Sequence, residues 1–209
     1  MMPKTPREFY SELGAGWLSQ RKSESQTSME LEYLSRLLRR DWKILDLACG
    51  YGRLAIPLAL EGYRVEGMDI TPAFVERARE DAARKGLNIG FRIGSMIDLP
   101  YYDGSFHSVI CMWNAFSEIA EEQDQPRAIL EIYRVLKKGG MAFIEMRNHR
   151  SSGLEVNNVI DGQEAMPSYR HTRGSMKRLM GICGIENFRV FIDNFGGRNR
   201  LLVEMHRTT

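Results

Sequence analysis

The sequence predicts an α/β fold: a doubly wound, mostly parallel sheet that closes with an antiparallel C-terminal hairpin. Three observations carry this expectation. Short apolar runs alternate with segments of helical period, glycines and prolines punctuate the joins, and two β-rich runs near the end flank a glycine-containing turn. Hydrophobic residues make up 43% of the 209 and charged residues 27%, enough apolar content to bury a core and too much for a disordered chain. One domain over 1–209 is expected.

Taken in order, "EYLSRLLRR" places Leu34, Leu37 and Leu38 on one helical face, within an N-terminal helical segment (1–40) placed to act as a lid. "KILDLA" reads as a buried strand, and a helix from about Arg53 ends near Gly62, with Pro57 close to its start. "YRVEGMD" is a second strand. In "TPAFVERAREDAARKG", Thr71 suits a helix cap, Pro72 the first helical position and Gly86 the exit. "IGFRI" and "HSVICM" are short strands. "QPRAILEIYRVLKKGG" reads as a helix with Ile129, Ile132, Tyr133 and Leu136 on one face, stopped by its paired glycines, and "MAFIEM" is a fifth strand. Residues 148–172 form a polar, irregular insert. A helix from Arg173 to Cys183 ends at Gly184, and "ENFRVFID" and "RLLVEM" flank "NFGGRN" as a hairpin.

Bulk properties narrow the function. The formal net charge is +2, too small for a field that would imply nucleic acid by itself. Residues 168–209 carry eight Lys or Arg against three acids, which reads first as a solvated basic face, with an anionic substrate as the alternative. Cys49, Cys111 and Cys183 show no metal-ligand spacing, and His107, His149, His171 and His206 lack a tight acid or Cys partner, so no metal is expected. Reduced thiols, no signal-peptide pattern and no membrane-length apolar run make a cytoplasmic protein without a membrane partner the default expectation.

The stretch "LDLACGYGRLA", residues 45–55, joins a strand to a helix through two glycines, and two cofactors compete for it. Gly50-x-Gly52-x-x-Ala55 fits a dinucleotide fingerprint, Asp69 follows Gly50 by 19 residues, and Tyr133 with Lys137 has the spacing of a dehydrogenase pair. Against an NAD(P)-dependent oxidoreductase, Tyr133 belongs to an apolar stripe and no second domain is available for the hydride acceptor.

Read one step earlier, the loop is Asp46-x-Ala48-x-Gly50-x-Gly52, which resembles motif I of class I S-adenosylmethionine (SAM)-dependent methyltransferases. "VEGMDIT", "GSMIDLPYYDGSFHSVICMW" and "ILEIYRVLKKGGMAFIE" resemble later segments of that family in the right order, so the likeness covers about residues 40–146. The resemblance implies a seven-stranded Rossmann-like sheet, a SAM-binding core over 41–147, and a C-terminal helix and hairpin over 173–209. It implies SAM as donor and S-adenosylhomocysteine as product. The implied cofactor residues are Asp46, Ala48, Gly50, Gly52, Asp69, Ile70, Ser95, Met96, Met112 and Trp113. Asp46 would offset the ammonium, Asp69 would accept from the ribose hydroxyls and Ile70 would pack on the adenine.

Two positions depart from the family pattern. Ser95 stands where an acid is frequent, leaving the adenine amine to the Ser95 hydroxyl, the Met96 backbone or Asp98. His107 replaces the Asp usual at the start of strand four, and is expected to be structural.

Strand ends point to the acceptor pocket: Trp113, Asn114 and Phe116 after strand four, Tyr169 in the insert, and Trp17, with Tyr10, from the N-terminal segment. His149 and His171 are the expected bases for an acceptor that must lose a proton. The favoured reaction is methyl transfer to a small molecule by in-line displacement. Neither Asn/Asp-Pro-Pro-Tyr nor Pro-Cys appears at strand four, which disfavours DNA, while the basic C-terminal segment leaves RNA open. A SAM-binding module without turnover is the non-enzymatic alternative.

Overall fold

Successive residues of a strand point to opposite faces, and the apolar runs here are apolar at both parities. Ile44 and Leu45, Val109 and Ile110, Phe143 and Ile144, and Leu201 and Leu202 are all buried. A sheet built from them must therefore be covered on both sides. The computed structural model describes residues 4–21, 23–156, 159–160, 163–164, 166–195 and 198–208. In chain order the elements are α1 (Pro6–Gln20), α2 (Glu24–Leu37), β1 (Lys43–Leu47), α3 (Ala55–Leu60), β2 (Arg64–Asp69), α4 (Pro72–Arg84), β3 (Gly90–Ile93) and β4 (Phe106–Cys111). A 3₁₀ turn (Ala115–Glu118) precedes α5 (Asp124–Val135), β5 (Leu136–Arg147), β6 (Gly153–Glu155), β7 (Val159–Ile160) and β8 (Gln163–Glu164). β9 (Ser168–Arg170), α6 (Arg173–Ile182), β10 (Phe188–Phe195) and β11 (Arg198–His206) complete the order.

The main sheet has seven strands in the order β10-β11-β5-β4-β1-β2-β3. β1 to β5 run parallel, and β11 enters antiparallel between β5 and β10. Ile44, Ile110, Phe143 and Leu202 pack with Leu34 of α2, Leu58 of α3 and Val75 of α4 on one face. Leu45, Val109, Ile144 and Leu201 pack with Ile129 of α5 and Met180 of α6 on the other. The doubly wound, mostly parallel expectation holds, antiparallel hairpin included, although the turn at 196–197 lies outside the described residues.

Several element boundaries differ from the sequence reading. α5 ends at Val135, before Gly139 and Gly140, because Leu136 turns extended (φ −68°, ψ 140°), buries its side chain and pairs with Phe106. The Arg207 guanidinium then donates to the carbonyls of Arg134 (2.6 Å) and Leu136 (2.5 Å), satisfying acceptors that a longer helix would have used. α3 starts at Ala55 rather than Arg53. Thr71 occupies the cap position of α4 without a side-chain cap bond, whereas Gly86 takes the left-handed exit (φ 69°) as expected. The supposedly irregular insert holds two small antiparallel pairs, β6 with β9 and β7 with β8. Strands of two or three residues are too short to show a period. α1 breaks at Gly14 (φ 75°, ψ 166°), so the N-terminal segment is a kinked helix followed by α2.

Candidate functional site

A cavity of about 610 Å³ opens where β1, β2 and β4 end, the place a doubly wound sheet offers a ligand. Its backbone is unusual. Ala48 (φ 59°), Trp113 (φ 60°) and Asn114 (φ 66°) are the non-glycine residues with left-handed φ among the described residues, and all three line the cavity. Such conformations cost energy and cluster at sites where geometry is imposed by function. Gly50 (φ 57°) and Gly52 (φ 83°) continue the left-handed turns after β1, and a Cβ on Gly50 would meet Leu18 at 3.3 Å. Only glycine follows that path without strain.

Two buried acids hold the loops. The Ala55 N–H donates to Asp46 Oδ2 at 3.1 Å, fixing the start of α3. Asp69 accepts from Gly50 N–H with Oδ2 and from Thr71 N–H with Oδ1, both at 2.8 Å, and so ties the β1 loop to the end of β2. Burial pushes the Asp46 carboxyl up to about 7, with Arg53 opposing. Burial also raises Asp69, opposed by the same Thr71 and Gly50 amides. Arg53 is itself held by Glu30 of α2 at 2.6 Å. Each acid therefore sits where a nearby cationic or hydrogen-bond-donating ligand group would stabilise its charged form.

At the next strand ends, Ile70, Ser95 and Met96 line the cavity beside Met112 and Trp113. The Ser95 hydroxyl accepts from Ile97 N–H at 3.5 Å, and Asp98 bridges Ser95 without reaching the cavity wall. Trp113 N–H donates to Glu145 Oε2 at 2.6 Å. Asn114 Oδ1 accepts from Arg147 N–H (2.8 Å) and the Ser117 hydroxyl (3.0 Å), which joins the β4 loop to the end of β5.

Helix α1 lies over this opening. Trp17 and Tyr10 are in the wall, and the Tyr10 hydroxyl donates to Glu118 Oε1 at 2.5 Å. Phe9 packs on Met166, so the insert and α1 meet above the cavity. Burial pushes the Glu118 carboxyl up to about 8, and the Tyr10 bond restrains that rise.

Of the sequence-predicted residues, Asp46, Ala48, Gly50, Asp69, Ile70, Ser95, Met96, Met112, Trp113, Asn114 and Trp17 share the cavity wall. Gly52, Phe116, Tyr169, His149 and His171 do not. Gly52 turns the loop from behind, with Ile56 beside it. Phe116 points into the core and is fully buried. His171 is enclosed by the rings of Phe116 (5.4 Å) and Tyr169 (4.9 Å), and burial pushes it down to about 4. His149 donates its backbone N–H to the His171 carbonyl at 3.3 Å, and burial lowers its ring pKa. The cause is topological: after β5 the chain turns to pair β6 with β9, which takes both histidines off the wall. Tyr169 instead donates to Glu122 at 3.3 Å.

His107 opens β4 at the far end and accepts from Lys43 N–H at 2.9 Å, a structural role. Lys137 lies against it (3.4 Å), and Tyr133 reaches Thr208, so neither member of the dehydrogenase-like pair lines the cavity.

Glu118 and Arg147 went unnoticed in the sequence. Both lie in stretches that the strand-end rule selects, "CMWNAFSE" and "RNHR", and the 3₁₀ turn and the period-two alternation from Glu145 decide which residue faces inward. Among the described residues no group of three or more His, Cys, Asp or Glu is arranged to hold a metal, and no helix is long and apolar enough to cross a membrane.

Residues 44–140 match a family model described as a methyltransferase domain. The chain is 33% identical over 131 residues to a ubiquinone biosynthesis O-methyltransferase of Xanthomonas euvesicatoria, covering 61% of this chain and 53% of that one. It is 28% identical over 197 residues to a glycine/sarcosine N-methyltransferase of Parasynechococcus marenigrum, covering 87% and 69% respectively. The chain spans about half the length of the first of these relatives. Among solved structures, the Burkholderia thailandensis 1,6-didemethyltoxoflavin-N1-methyltransferase with bound S-adenosylhomocysteine superposes with a TM-score of 0.71 at 15% identity, over 100% of this chain and 93% of that one. At that identity the likeness establishes the fold.

Proposed function

We propose that this chain, whose residues 44–140 match a methyltransferase domain, is a class I SAM-dependent methyltransferase that moves a methyl group from SAM to a small-molecule acceptor in the cavity. The observation that carries the reading is the pair of buried carboxyl groups, Asp46 and Asp69, beside a left-handed glycine loop. That set suits a ligand bearing an ammonium and vicinal hydroxyls.

Asp69 keeps lone pairs beyond its two backbone bonds for the ribose hydroxyls, and Asp46 balances the amino-acid tail. The open backbone at Ala48 and Gly50 lets the tail approach. Ile70 and Met96 supply apolar faces for the adenine, with Ser95 at its edge, and Met112 and Trp113 complete the set. When bound, SAM supplies a methyl group already activated on a sulfonium.

The protein's share is alignment, exclusion of water and proton removal. Tyr10 and Trp17 on α1 close the top, while Trp113 and Asn114 present the acceptor from the β4 loop. Glu118 is the group on the wall suited to take a proton from an acceptor O–H or N–H, and it does so once ionised, above about pH 8. His149 and His171 have no such access. The names of the three relatives described above each specify a small molecule, which supports that acceptor class over RNA.

Calorimetric titration with S-adenosylhomocysteine and with NAD⁺ tests the reading. Saturable binding of the first and none of the second is expected. Preferential uptake of the dinucleotide would overturn it.

A further inference from the structure

Charge is distributed unevenly over the cavity wall. The end at β1 and β2 presents Asp46 and Asp69 with Arg53, itself paired to Glu30 at 2.6 Å, whereas the wall where β5 ends and β11 begins presents Arg147, Arg198 and Arg200. Arg200 is the register partner of Arg147 across the antiparallel pair. Arg198 lies two residues before Arg200 and so on the same face of β11.

What holds each guanidinium differs. Arg200 Nε lies 2.9 Å from Glu145 Oε1, and both side chains are almost fully buried, so this charge is already satisfied. The side chains of Arg147 and Arg198 make no hydrogen bond or ion pair among the described residues. Yet the Arg147 backbone is pinned, its N–H donating to Asn114 Oδ1 at 2.8 Å. Its root is thereby fixed next to the β4 loop. The nearby acid, Glu118, takes its hydrogen bond from Tyr10, and Arg147 acts on it through charge alone. Arg147 and Arg198 are exposed at the cavity mouth, so an incoming anion reaches them without breaking an existing side-chain pair. A planar guanidinium also offers two parallel donors, the geometry an oxyanion accepts.

We propose that Arg147, supported by Arg198, is the recognition site for an oxyanion carried by the methyl acceptor, so that the acceptor is a small carboxylate or phosphate compound. The assignment rests on the methyl-transfer reading and adds the acceptor's chemical class to it. The nucleophile sits on the same small molecule, between the anionic group held at β5 and the donor held at β1.

Protein saturated with S-adenosylhomocysteine is titrated at constant ionic strength with sodium acetate, inorganic phosphate or neutral acetamide, and followed by calorimetry and melting temperature. At least one anion is expected to bind and stabilise the protein while acetamide does not, and the stronger of the two assigns the oxyanion. Arg147→Met should weaken that anion by roughly tenfold or more. The same variant should leave the S-adenosylhomocysteine dissociation constant within about twofold, and Arg150→Met, off the cavity wall, should leave the anion constant as in wild type. If S-adenosylhomocysteine binds but neither anion does, or if Arg147→Met binds the anion as wild type does, the acceptor assignment alone falls. If wild type binds no S-adenosylhomocysteine, both readings fall.

Discussion

Asp69 spends both carboxylate oxygens on backbone amides, Gly50 N–H and Thr71 N–H, each at 2.8 Å. Its removal therefore orphans two donors and withdraws the acceptor assigned to the ribose. Asp69→Ala should weaken S-adenosylhomocysteine by about 10–150-fold, from ~1.5–3 kcal/mol for a charged hydrogen bond. Calorimetry measures this, and an unchanged constant removes Asp69 from the site. Glu118 bears on pH. The folded state keeps its proton to about pH 8, while an unperturbed glutamic acid releases it near 4.5. Between those values the folded state holds the extra proton, so this residue makes stability fall as pH rises, by at most ~1.4 kcal/mol per pH unit. Glu118→Gln should flatten that decline, and denaturant melts at pH 5, 6.5 and 8 would show it; parallel curves for the two proteins would refute the assignment. At this scale legibility was partial. Asp46 and Asp69 could be read because each ends an apolar strand. Glu118 and Arg147 could not, since a 3₁₀ turn and the inward parity of β5 become visible only once the chain is folded.

Among elements, α1 packs on α4, where the Tyr10 ring lies 5.7 Å from that of Phe74, and reaches across the cavity. The Tyr10–Glu118 bond and the Phe9–Met166 packing join it to the far wall. Tyr10→Phe removes a bond contributing ~0.5–1.5 kcal/mol, so opening of α1 should become about 2–10 times more frequent. Hydrogen exchange of the α1 amides reads that directly, and unchanged protection would show that the latch lies elsewhere. The end of α5 carries a second test. Arg207→Ala leaves the Arg134 and Leu136 carbonyls without their donor. A loss of ~1–3 kcal/mol follows, a fall in Tm of about 2–12 °C for a chain of this size. The paired glycines misled here: they mark a turn within β5, and a tertiary contact from residue 207 ends the helix. The two short pairs of the insert were equally hidden, whereas long periodic segments such as α4 and α6 were plain.

For the whole molecule, the alternation of apolar parity predicted two covered faces, and the cores around Leu45 and around Ile44 fulfil it. Strand order was legible only through the family resemblance, because no local pattern says that β11 enters between β5 and β10. A ligand that bridges β1, β2 and β4 draws on this entire framework. S-adenosylhomocysteine at a hundred times its dissociation constant should contribute ~2.7 kcal/mol, raising Tm by about 5–11 °C. A scan without that shift would count against a cavity formed before binding.

The late entry of β11 also bears on biogenesis. β3, β2, β1, β4 and β5 exist as sequence by Arg147, but the outer edge of β5 acquires its partner only when Arg198–His206 has emerged. At roughly 5–20 residues per second, the ribosome leaves the apolar Met141–Met146 border unzipped for several seconds. Nascent chains stalled in that interval offer a chaperone or an aggregating neighbour a bare strand, which the finished protein never displays.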